Sequence, residues 1–91
     1  MKYYITSTFE MDGHASAMSI ICENRATKQA YLREILQDGE GNFYPTSGTH
    51  TEEDGSDTMY GTWDCGEWSV NIKPFKTFKE ICNKERFTRT G

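Results

Sequence analysis

No run of apolar residues in this 91-residue chain approaches the length needed to cross a bilayer. Nor is there an N-terminal apolar segment of the signal-peptide kind, and the three cysteines (Cys22, Cys65 and Cys82) form no CxxC pair. An odd, scattered set of thiols argues against a secreted disulfide framework, so the expected setting is a reducing cytoplasm. Histidine is scarce as well. Only His14 and His50 occur, neither within a few residues of a cysteine, and the acidic run Glu52 to Asp57 lacks the alternating ligands of a calcium loop. No metal or cofactor site is expected. Neither GxxxxGK[ST] nor GxGxxG is present, which removes the familiar phosphate cradles.

Apolar residues make up only 35% of the chain, but twelve residues are aromatic. Each large ring buries on the order of 150–250 Å², so a thin, aromatic-rich core is expected in one domain spanning 1–91. The net charge of −4 conceals an asymmetry. Residues 1–72 hold four Lys/Arg against twelve Asp/Glu, a net of −8, and residues 73–91 hold six against two, a net of +4. An acidic body repels nucleic acid and attracts a basic protein surface. Aromatics such as Tyr3, Phe9, Trp63 and Trp68 could stack bases, but their strands lack Lys and Arg, so core packing is the better reading and direct nucleic-acid binding is not expected. The basic tail reads as a solvated helix face or a second contact.

Residues 2–23 alternate through Tyr3, Ile5, Ser7, Phe9 and Met11, then through Ser16, Met18, Ile20 and Cys22. Asp12-Gly13 between them suits a two-residue type I′ turn, whose two positions both need positive φ. That turn sets Met11 opposite His14, Phe9 opposite Ser16, Ser7 opposite Met18, Ile5 opposite Ile20 and Tyr3 opposite Cys22. A helix follows, with Asn24 as N-cap, Gly39 as its stop, and a stripe of Ala26, Ala30, Tyr31, Ile35 and Leu36. Glycines 39, 41, 48 and 55, Pro45 and an acidic run predict a long connection over 38–57, mobile near 46–57, with Phe43-Tyr44 as an anchor. Thr58 to Ile72 reads as a second hairpin. With Cys65-Gly66 as its loop, Trp63 faces Trp68, Gly61 faces Val70 and Met59 faces Ile72. Thr77 and Glu80 form a capping box for a basic helix over about 77–87, with Phe78, Ile81 and Cys82 as its stripe. The expected fold is α+β: an antiparallel sheet from two hairpins with two helices packed on one face, in the order ββα-loop-ββα.

For chemistry, Cys65 beside Asp64 would need a base such as His14 or His50 to act as a nucleophile. An ordinary turn cysteine is the better reading, so no catalytic residue is expected. What remains is the profile of a binder. Hairpin tips are held rigid by their strands, and the candidate partner-binding residues are Asp12, Gly13, His14, Asp64, Cys65 and Glu67.

Asp12-Gly13, nine residues, Glu23-Asn24, then Ala26, Lys28 and Tyr31-Leu32-Arg33-Glu34-Ile35 resembles, over about residues 3–35, a family of phage anti-CRISPR proteins. That family inhibits type II-C CRISPR effectors by capping the HNH nuclease domain, using a small acidic α+β fold. The resemblance implies a non-enzymatic inhibitor in the host cytoplasm, with Asp12 reaching the nuclease centre. The family's second contact, a Ser-Cys pair near the C-terminus, is loosely matched by Asp64-Cys65 followed by Trp68. The competing reading is a phage or mobile-element module that binds protein, or pairs with a second copy through a sheet edge, without inhibiting anything.

Overall fold

The structure, a computed structural model, describes residues 1–80. Six elements follow one another: β1 (Lys2–Met11), β2 (His14–Cys22), α1 (Arg25–Ile35), β3 (Thr46–Thr51), β4 (Asp57–Trp63) and β5 (Gly66–Phe75). The strands form one antiparallel sheet in the order β2-β1-β5-β4-β3. This corrects the expected ββα-loop-ββα arrangement. Among the described residues there are five strands and a single short helix, not two hairpins carrying two helices.

The first hairpin has the expected register throughout, from Met11↔His14 to Tyr3↔Cys22. Asp12 takes φ 51° and Gly13 φ 81°, as a type I′ turn requires. The second hairpin departs from expectation by two residues. Its loop is Asp64-Cys65, and the pairs are Trp63↔Gly66, Gly61↔Trp68, Met59↔Val70 and Asp57↔Ile72. Two glycines account for the shift. A Cβ at Gly61 would run into the Trp68 indole and the Pro45 carbonyl, so Gly61 is the one neighbour that leaves the indole room. A Cβ at Gly66 would run into the Glu10 carbonyl, so Gly66 belongs inside β5, against β1. A shift of two keeps every side chain on its face, and both tryptophans stay on the same side of the sheet.

Asn24 caps α1, its side chain accepting from the Thr27 N–H at 2.8 Å. The helix stops earlier than Gly39, with Leu36 as C-cap. Asp38 takes over there, accepting from the N–H of Glu40 at 2.8 Å and of Asn42 at 3.0 Å. Those donors, Asn42 first, hold its carboxyl below its ordinary range. The chain then returns through the Gln37↔Phe43 bridge.

The segment expected as a long connection contains β3, an edge strand paired to β4 with a register shift between Thr46 and Gly48. A tight turn follows, in which Glu52 N–H donates to Ser56 O at 2.7 Å and Gly55 takes φ 84°. Ser56 is fully buried, where its hydroxyl accepts from Asn71 Nδ2 at 2.9 Å. The Thr77–Glu80 cap forms, with Glu80 Oε2 accepting from the N–H of Lys76 at 2.7 Å and of Thr77 at 2.8 Å. The rest of the helix expected over 77–87 lies outside the described residues, as do Ile81 and Cys82.

One face of the sheet carries the core: Ile5, Cys22, Trp68 and Val70, closed by Leu36 and flanked by Tyr31, Leu32 and Ile35. Ala26 and Ala30, expected in the helix stripe, are exposed, and Leu32 packs in their place. Trp68 is 2% exposed, and its indole N–H donates to Thr62 O at 3.0 Å, which satisfies its one polar group. The opposite face is rich in hydroxyls (Thr6, Thr8, Thr58, Ser69), with a small second cluster of Tyr4 and Phe75 at one end.

Candidate binding end of the sheet

The central β1–β5 pairing decides where the two hairpin tips go. Met11 pairs with Gly66 and Glu10 with Glu67, so the Asp12-Gly13 and Asp64-Cys65 turns lie side by side at one end of the sheet. All six residues read from the sequence as partner-binding (Asp12, Gly13, His14, Asp64, Cys65 and Glu67) are exposed and gather there. Sequence reasoning missed Glu10 and Met11, which stand between the two tips. Only the long-range β1–β5 register could have revealed them.

The electrostatics of this end are one-sided. It holds Glu10, Asp12, Asp64 and Glu67, and no Lys or Arg occurs in residues 3–24 or 57–72, which supply the parts of β1, β2, β4 and β5 nearest to it; the lysines of those strands, Lys2 and Lys73, lie toward the far end. Glu10 and Glu67 are direct cross-strand neighbours, an arrangement of like charges that disfavours the sheet. The four carboxylates share this end of the sheet. Among the described residues no group of three or more His, Cys, Asp or Glu is placed to hold a metal ion.

The end is stiffened from behind. Phe9 meets Trp63 edge-on at 5.7 Å and Tyr44 at 6.5 Å, and Tyr44 lies 6.3 Å from Trp63. Trp63 Nε1 donates to Glu67 O at 3.3 Å across the turn. The expected anchor at Phe43-Tyr44 is therefore Tyr44, while Phe43 is 63% exposed.

Cys65 is exposed and carries a free thiol. His14 lies on β2, separated from β5 by the whole of β1, so two strand spacings of about 4.8 Å intervene. His50 lies on β3, hydrogen-bonded to Glu52. Among the described residues, neither histidine is hydrogen-bonded to the thiol.

The opposite end is mixed in sign. Lys2 pairs with Glu23 at 3.6 Å and sits 5.2 Å from the Phe78 ring centre, and Lys28 lies 4.7 Å from that of Tyr3. Lys73 donates to the Asp54 carbonyl, tying β5 to the acidic β3–β4 turn. Of the basic tail, Lys84, Arg86 and Arg89 lie outside the described residues. No helix among the described residues is long and apolar enough to cross a membrane.

No protein-family model matches the chain, and no curated protein or solved structure matches it.

Proposed function

We propose that this chain is a non-enzymatic inhibitor that uses its acidic end to occupy a basic cleft of a bacterial defence effector, of which a CRISPR nuclease domain is the leading candidate. The observation that carries the reading is the adjacency of the two hairpin tips. Four carboxylates share one end of the sheet with no basic residue among them. Such a cluster sets up a negative field that steers a positively charged surface toward it. Once docked, carboxylates accept charge-assisted hydrogen bonds from Arg, Lys or His⁺, the same donors that hold a phosphate. The chain would then take the place of a scissile phosphate without offering a bond to cut.

The resemblance over residues 3–35 agrees with this reading, because it assigns the aspartate of the Asp-Gly turn to the nuclease centre. Asp12 occupies that turn at the tip. The cross-strand repulsion of Glu10 and Glu67 supports it too, since a partner's cation between them would relieve it. Such a protein, encoded by a phage or mobile element, would act in the host cytoplasm.

The test is DNA cleavage by a type II-C effector titrated with the purified chain. Inhibition that saturates near one chain per effector, and is lost in an Asp12→Asn variant of unchanged stability, is the expected result. Full inhibition by Asp12→Asn would overturn the assignment of the site. A direct pull-down that recovers no basic nuclease-type protein would overturn the proposed partner class.

A further inference from the structure

The two edges of the sheet are built differently. β3 is a protected edge: its register breaks between Thr46 and Gly48, and the His50–Glu52 pair stands at its end. β2 is not. Its nine residues, His-Ala-Ser-Ala-Met-Ser-Ile-Ile-Cys, contain no Lys, Arg, Asp, Glu or Pro, and its pairing with β1 runs without a bulge from His14 to Cys22. Residues 14–19 and Ile21 are all exposed, Met18 at 61%. A long, regular, uncharged edge is a template for another strand, and proteins ordinarily blunt such edges with charge, proline or a bulge.

We propose that β2 pairs with β2 of a second copy, antiparallel about a two-fold axis at Met18, to form a homodimer with one continuous ten-stranded sheet. Three features select a second copy as the occupant. First, this register uses the whole strand, from His14 opposite Cys22 to Cys22 opposite His14. Second, it sets large side chains against small ones: Ile20 of one copy faces Ser16 of the other, and Ile21 faces Ala15. No like charges meet. Third, antiparallel pairing keeps the two acidic Asp12 turns apart and sets each beside an end of mixed charge, which carries Lys2, Arg25 and Lys28 as well as Glu23. Next to the axis, the Tyr31 hydroxyl donates to Met18 Sδ at 3.9 Å, so each copy offers a thioether and a ring to a small shared apolar patch.

Sedimentation velocity of the full chain, from micromolar to millimolar concentration, tests the proposal. The expected result is a mass that moves from 10.5 kDa toward twice that value. Met18→Lys would put two ammonium groups together at the axis and should weaken self-association at least about tenfold, while Thr49→Lys on the other edge leaves it intact. In a chain with Cys65→Ser and Cys82→Ser, Met18→Cys should form a disulfide-linked dimer under mild oxidation, because directly opposite residues in an antiparallel pair have Cα atoms about 4.5–5.5 Å apart, within disulfide range. A monomer at every concentration overturns the proposal, as does a dimer that survives Met18→Lys or is lost in Thr49→Lys. A dimer that persists while Met18→Cys stays uncrosslinked overturns the axis. Met18→Lys leaves all four carboxylates of the acidic end in place, so loss of the dimer with inhibition retained would separate this inference from the proposed function.

Discussion

Glu10 and Glu67 stand directly opposite each other across the central strands β1 and β5, two carboxylates at one cross-strand position. A sheet selected for stability alone would place opposite charges there. The pair is therefore the clearest local conflict in the fold, and it lies between the two tips.

Glu67→Lys should turn that repulsion into an attraction. The expected gain is roughly 0.2–1 kcal/mol, read as a higher urea midpoint with an unchanged slope. The same variant should weaken binding of a basic partner, so stability and inhibition move in opposite directions.

Asp12 carries both a charge and a left-handed backbone, at φ 51°. Asn tolerates that conformation, so Asp12→Asn should leave the melting temperature nearly unchanged while it removes the charge. Asp12→Ala should lose about 1–2 kcal/mol, because Ala has no such tolerance. Thermal unfolding of both variants separates the backbone role from the charge role.

Gly66→Ala would drive a methyl group into the Glu10 carbonyl at the joint between the tips. Backbone, not a flexible side chain, is in the way, so β1 and β5 must separate locally. A loss of about 1–3 kcal/mol in chemical denaturation is expected. Unchanged stability would mean that β5 does not meet β1 in this register.

The Asp38 carboxyl is held below its ordinary range by the backbone N–H groups of Asn42 and Glu40. Its folded pKa is depressed, so the stabilisation it supplies is present above the unfolded value and disappears as pH falls through the folded one. An NMR titration should find Asp38 ionised to lower pH than an ordinary aspartate, and Asp38→Asn should flatten that part of the acid-side stability curve.

The two described thiols should differ in reactivity. Cys65 is exposed on its turn, whereas Cys22 is buried and burial pushes its thiol pKa up. Iodoacetamide should label Cys65 in the native protein and Cys22 only after unfolding, as read by peptide mass spectrometry.

The first hairpin was legible in the sequence because two signals agreed, strict alternation and an Asp-Gly pair that admits one turn type. The second was legible in its faces but not in its register. Cys65-Gly66 is an equally good local loop, and what rejected it was tertiary: Gly66 is needed against Glu10, and Gly61 beside Trp68. β3 left no trace because Thr46–Thr51 has no large apolar residue on either side, so an edge strand exposed at all but Gly48 read as a loop. The tips themselves could be found from turn chemistry. Their adjacency could not, since it depends on β1 choosing β5 as its second neighbour, a pairing of residues more than fifty positions apart.

Trp63 and Trp68 share a face of the sheet but occupy different settings. Trp68 is sealed in the core, while Trp63 is half-buried directly behind the Asp64-Cys65 turn, against Phe9 and Tyr44. The protein thus carries an intrinsic fluorophore at its acidic end and a shielded one as an internal reference. Occupancy of the acidic end can be followed by the emission of Trp63 alone, in a Trp68→Phe background or against the constant signal of Trp68, without attaching any dye to that surface.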